Sequence, residues 1–210
     1  MSRGGRAIDW YRGGPGSPNH AGVGGRYLQP AAGRVASPYP VRMSTTLVLG
    51  GTARSARRYA AALLPADSPV TVVFPGEPVT DQYPDEWTTV RADDLTRTIL
   101  RGRTPVLVDS LETWVSGLLD HHDAWSGDEA RLATVREAIA EFGALWMHAP
   151  YDSVALSREV GLTAIPEDDR NRRLRDVLEE VNAAVSVASK RTHLIVAGRA
   201  LDLSDSVRID

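Results

Sequence analysis

The stretch from Thr45 to Leu64, TTLVLGGTARSARRYAAALL, restricts the fold of this chain more than any other. Thr46, Leu47, Val48 and Leu49 make a short β-branched and aliphatic run, and Gly50 and Gly51 follow. Apolar residues then return at helical spacing as Ala56, Tyr59, Ala60, Leu63 and Leu64. That order predicts a strand, a glycine turn and a helix. Unpaired backbone amides and the helix dipole converge at such a helix start, and a phosphate is their natural guest.

The P-loop pattern G-x-x-x-x-G-K-[ST], laid from Gly51, takes in Thr52, Ala53, Arg54 and Ser55. It then meets Ala56, Arg57 and Arg58 where Gly, Lys and Ser or Thr belong. Laid from Gly50, it meets Ser55, Ala56 and Arg57 at those places. The frame is kept and the chemistry altered, so a glycine turn without a ligand is the alternative reading. Among 24 basic residues the only lysine is Lys190, and none is near the turn. The candidate nucleotide-binding residues are therefore Gly50, Gly51, Thr52, Ala53, Arg54, Ser55, Ala56, Arg57 and Arg58.

Two further apolar runs, Val70 to Phe74 and the PVLVD run of residues 105 to 109, are unalternated, as strands covered on both faces are. Pro75, Gly76 and Pro78 end the first, and Gly76 to Trp87 reads as loop. Ala92 to Leu100 reads as a short helix, and Ser110 to Leu119 as a helix with Leu111, Val115, Leu118 and Leu119 on one face. This βαβαβ order argues for an α/β fold with a parallel sheet. Asp109 ends its strand, and two roles are open to it. It can hold Mg²⁺ through water, as the strand-end acid of P-loop proteins does, or cap the helix from 110 to 119.

Farther on, Gly127 to Met147 is an amphipathic helix, Ser153 to Ser157 a short strand, and Arg170 to Lys190 a helix behind the acidic cap Asp168 and Asp169. His193 to Ala197 reads as another strand, Gly198 as a turn and Ala200 to Leu203 as a short last strand. A chain of 210 residues, 42% hydrophobic, supports one sizeable core. There is no Cys, which excludes disulfides, thiolate metal sites and a cysteine nucleophile. No run has the length of a membrane span, no signal-peptide core is present, and a net charge of −3 gives no reason to expect nucleic acid. The expectation is a soluble, cytoplasmic protein without membrane or nucleic-acid partners.

Residues 1 to 42 hold 9 of the 18 Gly, 5 of the 13 Pro and six Arg against one acid, without helical or strand period. Such a segment buries too little apolar surface to offset its ordering entropy, so it reads as a disordered extension ahead of a domain from 43 to 210.

SLETWVSGLL after the PVLVD strand, SREVGLTAIP, RRLRDVLEEVNAAV and HLIVAGRALDL together resemble the corresponding blocks of one family, in order and at compatible spacing. It is the bifunctional adenosylcobinamide kinase and adenosylcobinamide-phosphate guanylyltransferase family of late cobalamin biosynthesis. The resemblance spans residues 45 to 203 and is most specific from Glu159 to Asn182. It implies a P-loop NTPase-like fold, a mostly parallel sheet flanked by helices on both faces, assembled as a homotrimer. It also implies two reactions: a nucleoside triphosphate phosphorylates the aminopropanol hydroxyl of adenosylcobinamide, and GTP then transfers GMP to that phosphate through a histidine. GTP or ATP, Mg²⁺ and a corrinoid are the implied ligands. Gly50, Gly51, Ala53, Arg54 and Ser55 match the start of the family's GGARSGKS loop, with Thr52 inserted. Asp109, Trp114, Glu159, Gly161, Pro166, Arg172, Arg175, Asp176 and Asn182 match later positions.

The departures fall on chemistry. Ala56 replaces a glycine, Arg57 the lysine and Arg58 the hydroxyl that would ligate Mg²⁺, and a guanidinium has no lone pair for a cation. No histidine occurs between His20 and His121, so the guanylylated position is missing. His121 and His122 read as a solvated loop pair, and His148 and His193 as surface or core residues. Two readings follow: an active enzyme of the family, or a catalytically degenerate relative that binds nucleotide, corrinoid or an active paralogue without turnover.

Overall fold

Five strands overlap the segments expected as strands: β1 (Thr45–Leu49), β2 (Thr71–Phe74), β4 (Val106–Asp109), β5 (Ser153–Ser157) and β6 (Arg191–Val196), the last beginning two residues before and ending one residue short of the expected His193 to Ala197. The computed structural model describes residues 44–50, 54–78 and 83–209. The expectations for residues 1–42 and for Gly51, Thr52 and Ala53 lie outside them. β7 (Arg199–Asp202) returns antiparallel to β6 through Ala197 and Gly198, both at positive φ, as a two-residue hairpin turn requires. One strand was not expected: β3 (Thr88–Arg91) pairs with β2 alone and is largely exposed. A polar edge strand buries no apolar face, so TTVR carries no hydrophobic pattern to find.

The sheet order is β3-β2-β4-β5-β1-β6-β7, and all neighbours but β6 and β7 run parallel. Five α-helices are described: α1 (Arg54–Ala62), α2 (Leu95–Arg101), α3 (Leu111–His121), α4 (Glu129–Met147) and α5 (Asp169–Ala188). Helices cover both faces, as expected, but unequally, and right-handed crossovers explain why. The chain steps one way along the sheet from β1 to β2 to β3, so α1 and the loop bearing Tyr83 and Trp87 pack on one face with Val48, Val72, Leu107 and Leu156. It steps the other way from β3 to β4 to β5 to β6. Those connections put α2, α3, α4 and α5 on the opposite face against Leu47, Val73, Val108 and Ala155.

Under the larger layer the aromatic stack is Trp114, Phe142 and Trp146, with ring centroids 4.8 and 5.6 Å apart. The Trp146 indole N–H donates to Ser189 Oγ at 2.8 Å, so this fully buried ring leaves no polar atom unsatisfied. The helix starts follow the sequence: Asp94, Asp128 and Asp168 each accept a backbone N–H from the third residue beyond, as N-caps do.

Candidate functional site

Gly50 follows β1 directly at φ +145°, a conformation that side-chain-bearing residues rarely adopt, and a Cβ there would lie 2.6 Å from Ile195 Cβ on β6. Its N–H donates to the Ser157 carbonyl at 3.0 Å and so completes the sheet. Beyond the turn, α1 presents Arg54, Ser55 and Arg58 to solvent. Ala56, standing at the pattern's glycine, is fully buried against the sheet with Ala60.

Arg57 turns the other way, towards the sheet. Because β5 lies between β1 and β4, a helix leaving β1 passes over β5 and carries its side chains to the end of β4. There Arg57 Nε donates to Asp109 Oδ2 at 2.6 Å and Nη2 to Oδ1 at 3.3 Å, a two-pronged ion pair. The side chains are 13% and 2% exposed. A third donor comes from the loop after β2: the Tyr83 hydroxyl gives its proton to Asp109 Oδ2 at 2.9 Å. Tyr83 is held in turn by stacking on Trp87 at 6.0 Å and by the edge of Phe74 at 6.2 Å.

The electrostatics agree with the geometry. Burial pushes the Tyr83 phenol well above its ordinary value and the Asp109 charge pushes it further, so it remains a hydrogen-bond donor. For Arg57, burial acts to lower the pKa, but the hydrogen bond and charge of Asp109 outweigh it and the guanidinium is raised.

Of the two roles open to Asp109, the helix cap is not taken up. Ser110 holds the N-cap position of α3, and no side chain caps that helix. A magnesium ion requires several oxygen ligands in near-octahedral arrangement. Both Asp109 oxygens accept from Arg57 or Tyr83, Arg58 has no lone pair to give, and no group of three or more His, Asp or Glu with metal-binding spacing occurs among the described residues. The described residues around Asp109 do not fit the ion.

The later blocks build the carboxyl ends of β5 and its neighbours. Ser157 Oγ donates to Asn182 Oδ1 at 2.5 Å, and Asn182 Nδ2 donates to the Arg158 carbonyl at 2.8 Å, which fixes α5 to the strand end. Glu159 accepts from the Gly161 N–H at 2.7 Å, and Arg172 Nη1 donates to the Pro166 carbonyl at 3.0 Å. Arg175, which reaches towards Asp176 at 3.7 Å, joins Arg158, Glu112, Thr163 and Asn171 around a cleft of 280 Å³.

His121 is the last residue of α3 and His122 its C-cap, their rings 4.8 Å apart. His148 caps the end of α4. His193 is a core residue: buried in β6, it shares a 3.0 Å hydrogen bond between Nδ1 and the Tyr59 hydroxyl.

In the sequence Asp109 and Arg57 stand as separate candidates with nothing to join them, and Tyr83 is a loop residue that offers no replacement for the missing histidine and no sign of its bond to Asp109. The available signal was Tyr83 and Trp87, two aromatics four apart in an otherwise polar loop.

A family model described as cobinamide kinase / cobinamide phosphate guanyltransferase matches residues 80–203. The bifunctional adenosylcobalamin biosynthesis protein CobU of Escherichia coli (strain K12) is 27% identical over 172 residues, covering 72% of this chain and 95% of that protein. The family match takes in Tyr83, Asp109 and the whole β5–α5 block, and begins beyond the glycine turn.

Proposed function

We propose, from the premise that this chain belongs to the cobinamide kinase / cobinamide phosphate guanyltransferase family, that it works in cobalamin biosynthesis on a nucleotide and a corrinoid. In this reading GTP or ATP gives its terminal phosphate to the aminopropanol hydroxyl of adenosylcobinamide, and GTP gives GMP to the phosphate so formed. The observation that carries it is the family match over residues 80–203, which holds Asp109 and the block from Glu159 to Asn182 in one continuous stretch. The nucleotide's phosphates lie at Gly50 to Arg58, where exposed Arg54 and Arg58 and the start of α1 offer positive charge. No step is assigned to Mg²⁺, for which the described residues assemble no ligand set. The protein acts in the cytoplasm, where nucleoside triphosphates are made, as the homotrimer that the family resemblance implies; sedimentation equilibrium checks the trimer.

A second reading is favoured by the Arg57, Asp109 and Tyr83 cluster together with the missing histidine: binding of nucleotide, corrinoid or an active paralogue without turnover. The purified chain, given adenosylcobinamide and nucleotide labelled on the terminal phosphate, transfers label to the corrinoid under the first reading. Under the second it transfers none, yet gives binding heat with GTP or ATP. Label from GTP retained on the denatured protein would show a covalent GMP intermediate and favour the first. Absence of both transfer and nucleotide heat would reject the nucleotide half of each.

A further inference from the structure

Asp109 is the carboxylate on which a cation would be expected, and a cation is there: it is covalently part of α1. We infer that Arg57 is the resident cation of this site, standing in the place of a divalent metal, and that a phosphate ligand of the turn is bound without one. The second half of this statement rests on the nucleotide reading above.

Three observations carry the inference. The first is charge. Asp109 contributes one negative charge and Arg57 one positive, so the buried pair is already neutral. A divalent ion added beside Arg57 would face a guanidinium in a region where burial weakens screening.

The second is donor capacity. Oδ2 accepts from both Arg57 Nε and the Tyr83 hydroxyl, and Oδ1 from Arg57 Nη2. A metal ligated directly, or through a water hydrogen-bonded to the carboxylate, would have to displace one of these donors. The displaced group would then be left in a site where Arg57 is 13% exposed and Asp109 only 2%.

The third is tethering. Ala56 and Ala60 are fully buried and hold α1 on the sheet, so Arg57 is delivered to Asp109 by the fold itself. A metal from solution competes against a partner that pays no association entropy. The position next along, Arg58, cannot recruit the ion either, since a guanidinium only donates.

The experiment is calorimetric titration of the full chain with GTP and with ATP, in excess EDTA and in millimolar Mg²⁺. The expected result is a Kd for the bound nucleotide that agrees within about threefold between the two buffers. Binding about tenfold or more tighter in Mg²⁺, or found only there, would overturn the inference. If neither nucleotide gives heat in either buffer, the nucleotide reading falls, and Mn²⁺ electron paramagnetic resonance on the free chain decides the first half alone. No bound Mn²⁺ upholds it, and bound Mn²⁺ that Asp109→Asn releases overturns it. Circular dichroism confirms that the variant is folded. Should Asp109→Asn not fold, amide resonances around Asp109 in the wild-type chain decide instead: broadening by Mn²⁺ overturns the first half, and its absence upholds it.

Discussion

Arg57 and Asp109 lie 52 residues apart and on non-adjacent elements, yet their side chains meet at 2.6 Å beneath α1. Removing one partner of a buried pair leaves the other charged and desolvated, which costs about 3 to 5 kcal/mol. Arg57→Ala is therefore expected to lower the unfolding free energy by about that amount. Arg58→Ala, one residue on and exposed, should stay within about 0.5 kcal/mol of wild type. Urea denaturation of both variants measures the contrast, and equal losses would contradict the assignment.

Tyr83 donates to a carboxylate from a largely buried position, and hydrogen bonds to charged groups contribute about 1.5 to 3 kcal/mol. Tyr83→Phe should lose that much. Burial and the Asp109 charge also keep this phenol protonated where exposed tyrosines ionise. The variant's tyrosinate absorbance at alkaline pH should thus equal that of wild type; a drop by one tyrosine's worth would show that Tyr83 titrates normally.

Gly50 joins a positive φ to close approach of β6, so Gly50→Ala meets backbone strain and Ile195 together. The expected loss is at least about 2 kcal/mol, or about 4 to 8 °C in Tm for a chain of this size. Differential scanning calorimetry reads it, and an unchanged Tm would mean that β6 yields freely.

His193 adds a pH dependence. Burial lowers its pKa below the ordinary 6.5, against a smaller upward pull from Asp202 and with Arg191 reinforcing burial. The unfolded chain then takes up the proton first as pH falls. Its contribution to stability is complete above about pH 6.5 and declines as pH drops through that value towards the folded pKa. His193→Gln should show a smaller fall in Tm between pH 7.5 and 5.5 than wild type does.

The buried strands β1, β2, β4 and β5 were legible because each holds a short aliphatic core next to a Gly, Pro or acid, and β6 from the run His193 to Val196 ahead of Gly198. Helices α3, α4 and α5 were legible from their periodic Leu, Val and Ile. What local pattern could not supply was strand order. Arg57 reaches Asp109 only because β5 is inserted between β1 and β4, and nothing in the sequence of β5 states where it will pair. Asp109 could be placed at a strand end from PVLVD alone, but its partners arrive from segments 52 and 26 residues away. Ala56 looked like a lost glycine and is a core residue, since that face of α1 rests on Val48 and Leu156.

The knot tied under α1 joins three segments that the chain itself keeps far apart. The first helix is moored to the sheet floor in this way. Among the described residues of that helix start, Arg57 faces inward and is engaged by Asp109, while Arg54 and Arg58 face outward, so one short helical turn divides its positive charge between the interior and the solvent.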